Sequence, residues 1–334
     1  MENTLVTLAG YPIWQLDVVG MKRSLSLSNL KAAYKTVKSV SQAKKIIERF
    51  SPDAVIGTGG YVCYPILKAA SQKGIYTALH ESNSVPGLAV KMLKNKVDRV
   101  FVGFDSCADI LKVREKCLWV GNPIKSDFSD IDKDKARKEL NIGKKYRYVL
   151  VSFGGSLGAE TVNKAALNIM DKIVSKRGDI LHIHSCGKNG AGKFFEEFKN
   201  LGLNECSDIR VSEYINNMPT YLKAADAVMC RSGAMTLSEI AASGLPSILI
   251  PSPNVTGNHQ YKNALEFSSA NAAFAIDEKN ENVPEKALQY VNALLTNETW
   301  RWEMSANALK FANNDCAGRI VEDIVQSIKK KELI

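Results

Sequence analysis

The sequence predicts an α/β protein of two domains, each with a parallel sheet. Three observations carry that expectation. The chain has 334 residues, which at roughly 100–200 residues per domain makes two. Short β-branched runs alternate with amphipathic stretches almost to its end, and one polar, charge-rich interruption separates two such series. The expected strands are residues 14–18, 53–57, 76–80, 99–103, 148–153, 180–185, 209–211, 227–230 and 246–250. Helical patterns fall between most of them, and that alternation covers both faces of a parallel sheet. The interruption, residues 125–147, follows the turn Gly121-Asn122-Pro123 and precedes a fresh strand, which places the domain boundary there. The domains are therefore expected at residues 1–124 and 125–314. Residues 315–334 are expected to form a C-terminal helix packing back on the first domain.

Composition removes several classes. With 45% apolar and 24% charged residues the chain is neither disordered nor low in complexity. No run approaches the ~18 consecutive apolar residues of a membrane span. The first residues, MENTLVTLAGYPIW, lack the basic and apolar regions of a signal peptide. Seven scattered cysteines without a C-x-x-C pair read as reduced thiols of a cytosolic protein, neither a disulfide framework nor a zinc site.

The net charge of +9 is concentrated. Residues 20–50 hold eight basic side chains against Glu48 alone, a net +7. Among them Leu30, Ala33, Tyr34, Val37 and Val40 recur at helical spacing. A basic helix with an apolar stripe suits an anionic membrane surface. It equally suits a helix that packs its stripe on the core and solvates its lysines. Nucleic acid ranks last, because aromatics are not interleaved with the cations as a base-stacking surface requires.

Two glycine turns look built for phosphate. In VLVSFGGSLGAETVNKAAL a strand ends at Phe153, Gly154, Gly155 and Gly158 form the turn, and a helix begins. In AVMCRSGAMTLSEIAASGLP the chain turns after Cys230 into a helix carrying Glu239, which stops at Gly244-Leu245-Pro246. Glycines allow close backbone approach, and free amides at a helix N-terminus favour an anion. A carboxylate further along such a helix reaches a ribose diol; an exposed helical glutamate is the plainer alternative. A third turn, GTGGYV at 57–62, precedes HESN, which places His80, Glu81 and Asn83 at the end of the next strand. Ligands of open parallel sheets bind at carboxyl strand ends, so these side chains suggest the wall of a site.

In this order the motifs resemble the MurG family, the UDP-N-acetylglucosamine–N-acetylmuramyl-(pentapeptide) pyrophosphoryl-undecaprenol N-acetylglucosamine transferases of peptidoglycan synthesis. The resemblance covers nearly the whole chain: GTGGYV at 57–62, HESNSVPGLA at 80–89, VGNPIK at 120–125, FGGSLGA at 153–159, CRSGAMTLSEIAASGLP at 230–246 and NHQYKNA at 258–264. It implies two Rossmann-like domains facing across a cleft, the GT-B arrangement. It also implies transfer of GlcNAc, with inversion and without metal or other cofactor, to the C4 hydroxyl of the muramyl sugar of lipid I. The implied partners are UDP-GlcNAc, lipid I (undecaprenyl-pyrophosphoryl-MurNAc-pentapeptide) and the anionic cytoplasmic face of the bacterial membrane.

Carried over by position, the backbone of Ile215 would read the uracil and Glu239 the ribose hydroxyls. Ser156 and the amides of Ala234, Met235 and Thr236 would hold the diphosphate, with Arg231 and Asn163 nearby. His259 and Gln260 would face the GlcNAc hydroxyls. Tyr61, His80, Glu81 and Asn83 match residues of the acceptor side. Lys125 stands where the family usually has Arg, a point charge in place of a bidentate fork; Ser82 and Leu157 replace frequent glutamines. The family's opening strand, Gly-rich loop with His, and helix have no counterpart, so the first domain is expected to be N-terminally incomplete, with His80 the nearest substitute base. The alternatives are a catalytically silent remnant that still binds UDP-GlcNAc, a UDP-sugar epimerase, and a Rossmann dehydrogenase. The VGNP and HESNSVPG contexts argue against the epimerase. The strand at 180–185 ends without the acidic residue a dehydrogenase needs.

Overall fold

The computed structural model describes residues 6–18, 28–124, 128, 131–313 and 315–332, with the side chains of 28–37 and 332 outside that description. The chain divides into two compact units: Met1–Ser82, Pro86–Val120 and Ala317–Ile334 form unit 1, and Asn83–Val85 with Gly121–Cys316 form unit 2.

Unit 1 runs α1 (Ser28–Phe50), β1 (Ala54–Gly57), α2 (Cys63–Gln72), β2 (Tyr76–Glu81), α3 (Leu88–Leu93), β3 (Arg99–Val102), α4 (Ser106–Leu111) and β4 (Cys117–Trp119). Its sheet has the order β1-β2-β3-β4, parallel throughout. Leu79, Val100 and Val102 pack beneath Leu67, Val90, Leu93 and Leu111 in one core cluster. The C-terminal helix α13 (Cys316–Glu332) groups with this unit from Ala317 on. Its Asp323 takes both Nε (2.9 Å) and Nη2 (2.8 Å) of Arg99 in a forked ion pair. On the second half of α1, Ala43 and Ile47 are buried against Ala69 and Ala70 of α2, with Val40 packed beside them.

Residues 14–18 form no strand. Their apolar side chains are spent singly: Trp14 packs edge-on to Phe50 with ring centroids 5.4 Å apart, and Leu16 joins the α1–α2 cluster. Two edge strands of three residues, β4 here and Ala273–Ala275 in unit 2, are too short to show alternation in the sequence and close one edge of each sheet.

Unit 2 begins four residues ahead of the expected boundary, because the Gly121-Asn122 turn is bonded into it. Asn122 Nδ2 donates to Ser238 Oγ at 2.9 Å, and Gly121, at φ +78°, leaves no room for a Cβ against Asn313. The unit also takes Asn83, which the sequence places in the first domain. Asn263, fully buried, donates to Asn83 Oδ1 (3.1 Å) and accepts from the N–H and hydroxyl of Ser84.

After α5 (Lys133–Glu139) unit 2 alternates strand and helix and ends in two helices: β5 (Tyr148–Phe153), α6 (Glu160–Lys172), β6 (Ile180–Ser185), α7 (Ala191–Asn200), β7 (Ile209–Ser212), α8 (Met218–Ala224), β8 (Ala227–Cys230), α9 (Ala234–Ser243), β9 (Ser247–Leu249), α10 (His259–Ser269), β10 (Ala273–Ala275), α11 (Val283–Thr296) and α12 (Glu298–Leu309). The six strands are parallel in the order β10-β9-β8-β5-β6-β7. The chain therefore winds outward from β5 to β7, returns beside β5 as β8, and winds out the other way. That reversal opens a crevice at the carboxyl ends of β5 and β8. Strands β5, β6 and β8 are buried along their whole length, as a sheet covered on both faces requires.

One polar cluster lies inside this core. Ser152 Oγ is 2.7 Å from both His182 Nε2 and His184 Nδ1, so it donates to one ring and accepts from the other. The other nitrogens, His182 Nδ1 and His184 Nε2, have no partner among the described residues. Desolvation pushes the His184 imidazole down to about 3 and holds His182 well below its ordinary range, the latter aided by its histidine neighbour. Both rings are thus neutral when folded but bind protons below about pH 6.5 when unfolded. The stability they contribute is complete above that pH and is lost as pH falls, by up to about 1.4 kcal/mol per pH unit for each ring. Denaturant titrations from pH 7.5 to 5.0 should show this acid slope, and His184→Asn should flatten it; equal stability at pH 7 and pH 5 contradicts the assignment.

Candidate functional site

The crevice at the ends of β5 and β8 is framed by backbone. After Phe153 the turn 154–158 passes so close to the loop following β6 that neither chain has room for a side chain. A Cβ on Gly158 (φ +83°) would lie 2.3 Å from the Cys186 carbonyl, and one on Gly187 (φ +77°) would lie 2.1 Å from Gly158. The Leu157 carbonyl accepts from the Asn189 N–H at 3.1 Å. Asn163, expected near an anion, is buried and supports this crossing from beneath, with its Nδ2 donating to the Cys186 carbonyl at 3.0 Å. Ser156 is exposed at the tip of the turn.

Ala159 and Gly233 are the N-cap residues of α6 and α9, and neither helix has a side-chain cap. Their first-turn amides are the unsatisfied donors that anions occupy. On α9, Ala234 is buried, Met235 exposed and Thr236 half-buried. Glu239 lies half-buried one further turn along. Burial, with the Glu239 carboxylate adding to it, pushes the Cys230 thiol far up.

Arg231 leaves β8 only 14% exposed. Its Nη1 donates to the Ile250 carbonyl at 2.9 Å and to Glu278. The Glu278 carboxylate also accepts from Thr161 Oγ1, at 2.5 Å, on the first turn of α6. Neither Glu278 nor Thr161 stood out in the sequence, since no glycine or helix boundary marks them. Asn263 is another such residue: it lies inside NHQYKNA, yet nothing in the letters shows that its side chain is buried.

At the start of α10, His259 Nδ1 donates to the Thr256 carbonyl at 2.9 Å, which leaves Nε2 as the acceptor of the neutral ring. Gln260 Oε1 accepts from the Ser252 N–H at 2.9 Å, and the Gln260 carbonyl accepts from Ser232 Oγ at 2.8 Å. Ile215 is buried in the loop after β7, whose start is tied to β6 by the Cys186 and Gly187 amides. Its own N–H and carbonyl have no partner among the described residues. Lys125 lies outside the described residues.

In unit 1, Tyr61 sits exposed in the glycine turn after β1, and His80 and Glu81 lie buried at the end of the neighbouring strand β2. Glu81 Oε2 accepts from the Gly87 N–H at 2.7 Å and so shapes the segment that follows. The contact of His80 Nδ1 is with Ser82 Oγ, at 3.4 Å.

A cavity of about 990 Å³ lies elsewhere in unit 2, beside edge strand β10 and walled by Phe274, Tyr290, Trp300 and Trp302. The crevice at β5 and β8 remains the better candidate. Amides, an arginine and a half-buried carboxylate converge there, whereas the large cavity is an open aromatic groove at a sheet edge. Among the described residues no group of three or more His, Cys, Asp or Glu side chains is arranged to hold a metal.

The glycosyltransferase family 28 C-terminal domain matches residues 149–320, and the family 28 N-terminal domain matches residues 1–102. A relative from Acetivibrio thermocellus is 37% identical over 331 residues, 99% of this chain and 88% of its own. It is named UDP-N-acetylglucosamine–N-acetylmuramyl-(pentapeptide) pyrophosphoryl-undecaprenol N-acetylglucosamine transferase. The chain belongs to the MurG family. A second MurG-family relative, from Bacillus subtilis and of the same name, is 34% identical over 99% of this chain and 89% of its own. The crystal structure of Acinetobacter baumannii MurG superposes with a TM-score of 0.76 at 25% identity, covering 98% of this chain and 88% of that one. The MurG fold is shared more widely. A Listeria monocytogenes protein titled a UDP-N-acetylglucosamine 2-epimerase superposes with a TM-score of 0.70 at 15% identity, over 93% of this chain and 83% of its own, a likeness of fold alone.

The backbone crossing at Gly158 gives a direct test of the frame. Gly158→Ala combines a left-handed backbone with a clash against a carbonyl, and is expected to destabilise unit 2 by about 2 kcal/mol or more. Gly143→Ala, at a residue whose Cβ meets nothing within 4 Å, serves as control. Equal melting temperatures for the two variants contradict the crossing.

Proposed function

We propose that the chain moves GlcNAc from UDP-GlcNAc to the C4 hydroxyl of the MurNAc of lipid I, giving lipid II for peptidoglycan synthesis. Family membership supports the reaction. The observation that carries the donor site is the pair of uncapped helix N-termini, α6 and α9, at the reversal of the unit 2 sheet, with Arg231 between them in sequence and Glu239 beyond.

The acceptor oxygen attacks C1 of GlcNAc from the face opposite UDP. The bond from C1 to the β-phosphate oxygen breaks, and UDP leaves with the electron pair. Charge grows on the diphosphate, where the amides of Ala234, Met235 and Thr236, with Ser156 and Arg231, stabilise it; preorganised donors cost no reorganisation at that moment. Lys125 is assigned to the same phosphates. Ile215 offers its unpartnered backbone groups to the uracil, and Glu239 accepts from the ribose hydroxyls. His259 and Gln260 face the GlcNAc hydroxyls, and the two hydrogen bonds that hold their side chains set that orientation. The hydroxyl proton of the acceptor goes to His80, with Tyr61, Glu81 and Asn83 assigned to the acceptor side. Asn163 acts beneath the phosphate turn.

The reaction is placed at the cytoplasmic face of the membrane, with the protein peripheral. Lys38, Lys45 and Arg49 are exposed on α1, whereas Ala43 and Ile47 are spent on the core of unit 1. Attraction through this half of the helix is therefore electrostatic and sensitive to salt. No helix among the described residues is long and apolar enough to cross a membrane.

Conversion of lipid I to lipid II by the purified chain tests the reaction; no product with UDP-GlcNAc and lipid I overturns it. Glu239→Ala should weaken UDP binding by about 1.5–3 kcal/mol in calorimetry, the worth of a charged hydrogen bond, and unchanged binding removes the ribose role. Vesicles containing anionic lipid should retain the protein at low salt and release it at high salt. Lys38→Glu, Lys45→Glu and Arg49→Glu together should weaken that retention severalfold. Equal binding to neutral vesicles contradicts the electrostatic surface.

A further inference from the structure

Glu278 stands outside every motif, yet it accepts hydrogen bonds from both phosphate-facing elements of unit 2. It follows edge strand β10, reaches Thr161 on the first turn of α6, and reaches Arg231 at the end of β8. Its side chain is only 20% exposed and that of Arg231 14%. Among the described residues both partners of the guanidinium, Glu278 and the Ile250 carbonyl, fall on Nη1. The edge formed by Nε and Nη2 is left over, and that edge is a parallel pair of donors matched to two oxygens of a phosphate.

We infer that Glu278 is a positioning residue for nucleotide-diphosphate binding: it pins Arg231 by one nitrogen and ties its turn to the start of α6, so that the Nε–Nη2 edge is presented ready-made. This rests on the donor site proposed above. A flexible arginine in the same place would lose rotamer freedom on binding, and the carboxylate removes that loss beforehand. The carboxylate also carries a cost, because it sets a negative charge close to an anionic ligand. The inference is that orientation outweighs repulsion.

Calorimetric titration of UDP into the full chain and into Glu278→Ala, Arg231→Ala and the double variant tests this. Glu278→Ala should bind UDP about tenfold more weakly, and the double variant should match Arg231→Ala within about twofold, since Glu278 has nothing left to position. Glu278→Gln keeps the shape and an acceptor for Thr161. It should retain the parental melting temperature and weaken UDP binding less than Glu278→Ala does, so it serves should the alanine variant fail to fold. Unchanged or tighter UDP binding by either variant overturns the inference, as does full additivity in the double variant, which marks a general structural role. Failure of the parent chain itself to bind UDP rejects the donor site instead, and is distinguishable from all of these.

Discussion

The contact between Gly158 and Gly187 is the constraint on which unit 2 turns. Two loops leaving adjacent parallel strands approach until only hydrogen atoms separate their backbones. The approach fixes the turn after β5, and with it the origin of α6 and the direction of that helix's first amides. Asn163 holds the crossing from within the protein, and Asn189 bonds across it. The tip is thereby held by bonds made behind it, which leaves the first-turn amides of α6 free to face a ligand.

A second support works from the opposite side of the sheet reversal. Asn263 uses its amide oxygen for Ser84 and its nitrogen for Asn83 and the Ser232 carbonyl, at 3.3 Å for the last. A fully buried amide with this many partners is expensive to disturb. It anchors the first half of α10 to the turn after β8, and so braces the segment that carries His259 and Gln260. The phosphate turn and the sugar-facing helix are thus held by different residues, Asn163 and Asn263, each drawn from a helix rather than from a strand.

Much of this was legible in the letters. Full-length buried strands such as β5 and β8 announce themselves because a strand covered on both faces is almost continuously apolar. Glycine turns announce themselves because only glycine fits them. Short edge strands do not, since three residues carry no period. The stretch at 14–18 misleads because apolar residues packing singly against a helix look like alternation. The grouping of Asn83 with unit 2 is not visible in the letters, since its bond to Asn263 spans 180 residues of sequence. Glu278 escaped notice for the same reason: its importance lies in what reaches it.

The four tryptophans are divided evenly between the units. Trp14 and Trp119 belong to unit 1, and Trp300 and Trp302 line the aromatic groove of unit 2. Trp119 is half-buried with its indole N–H on the Gly103 carbonyl, whereas Trp302 is largely in water. Each half of the chain thereby carries its own intrinsic fluorophores, in contrasting surroundings and away from the residues assigned to the nucleotide. Two separate cores need not melt together, and single-tryptophan versions of this chain provide the optical means to watch them do so one at a time.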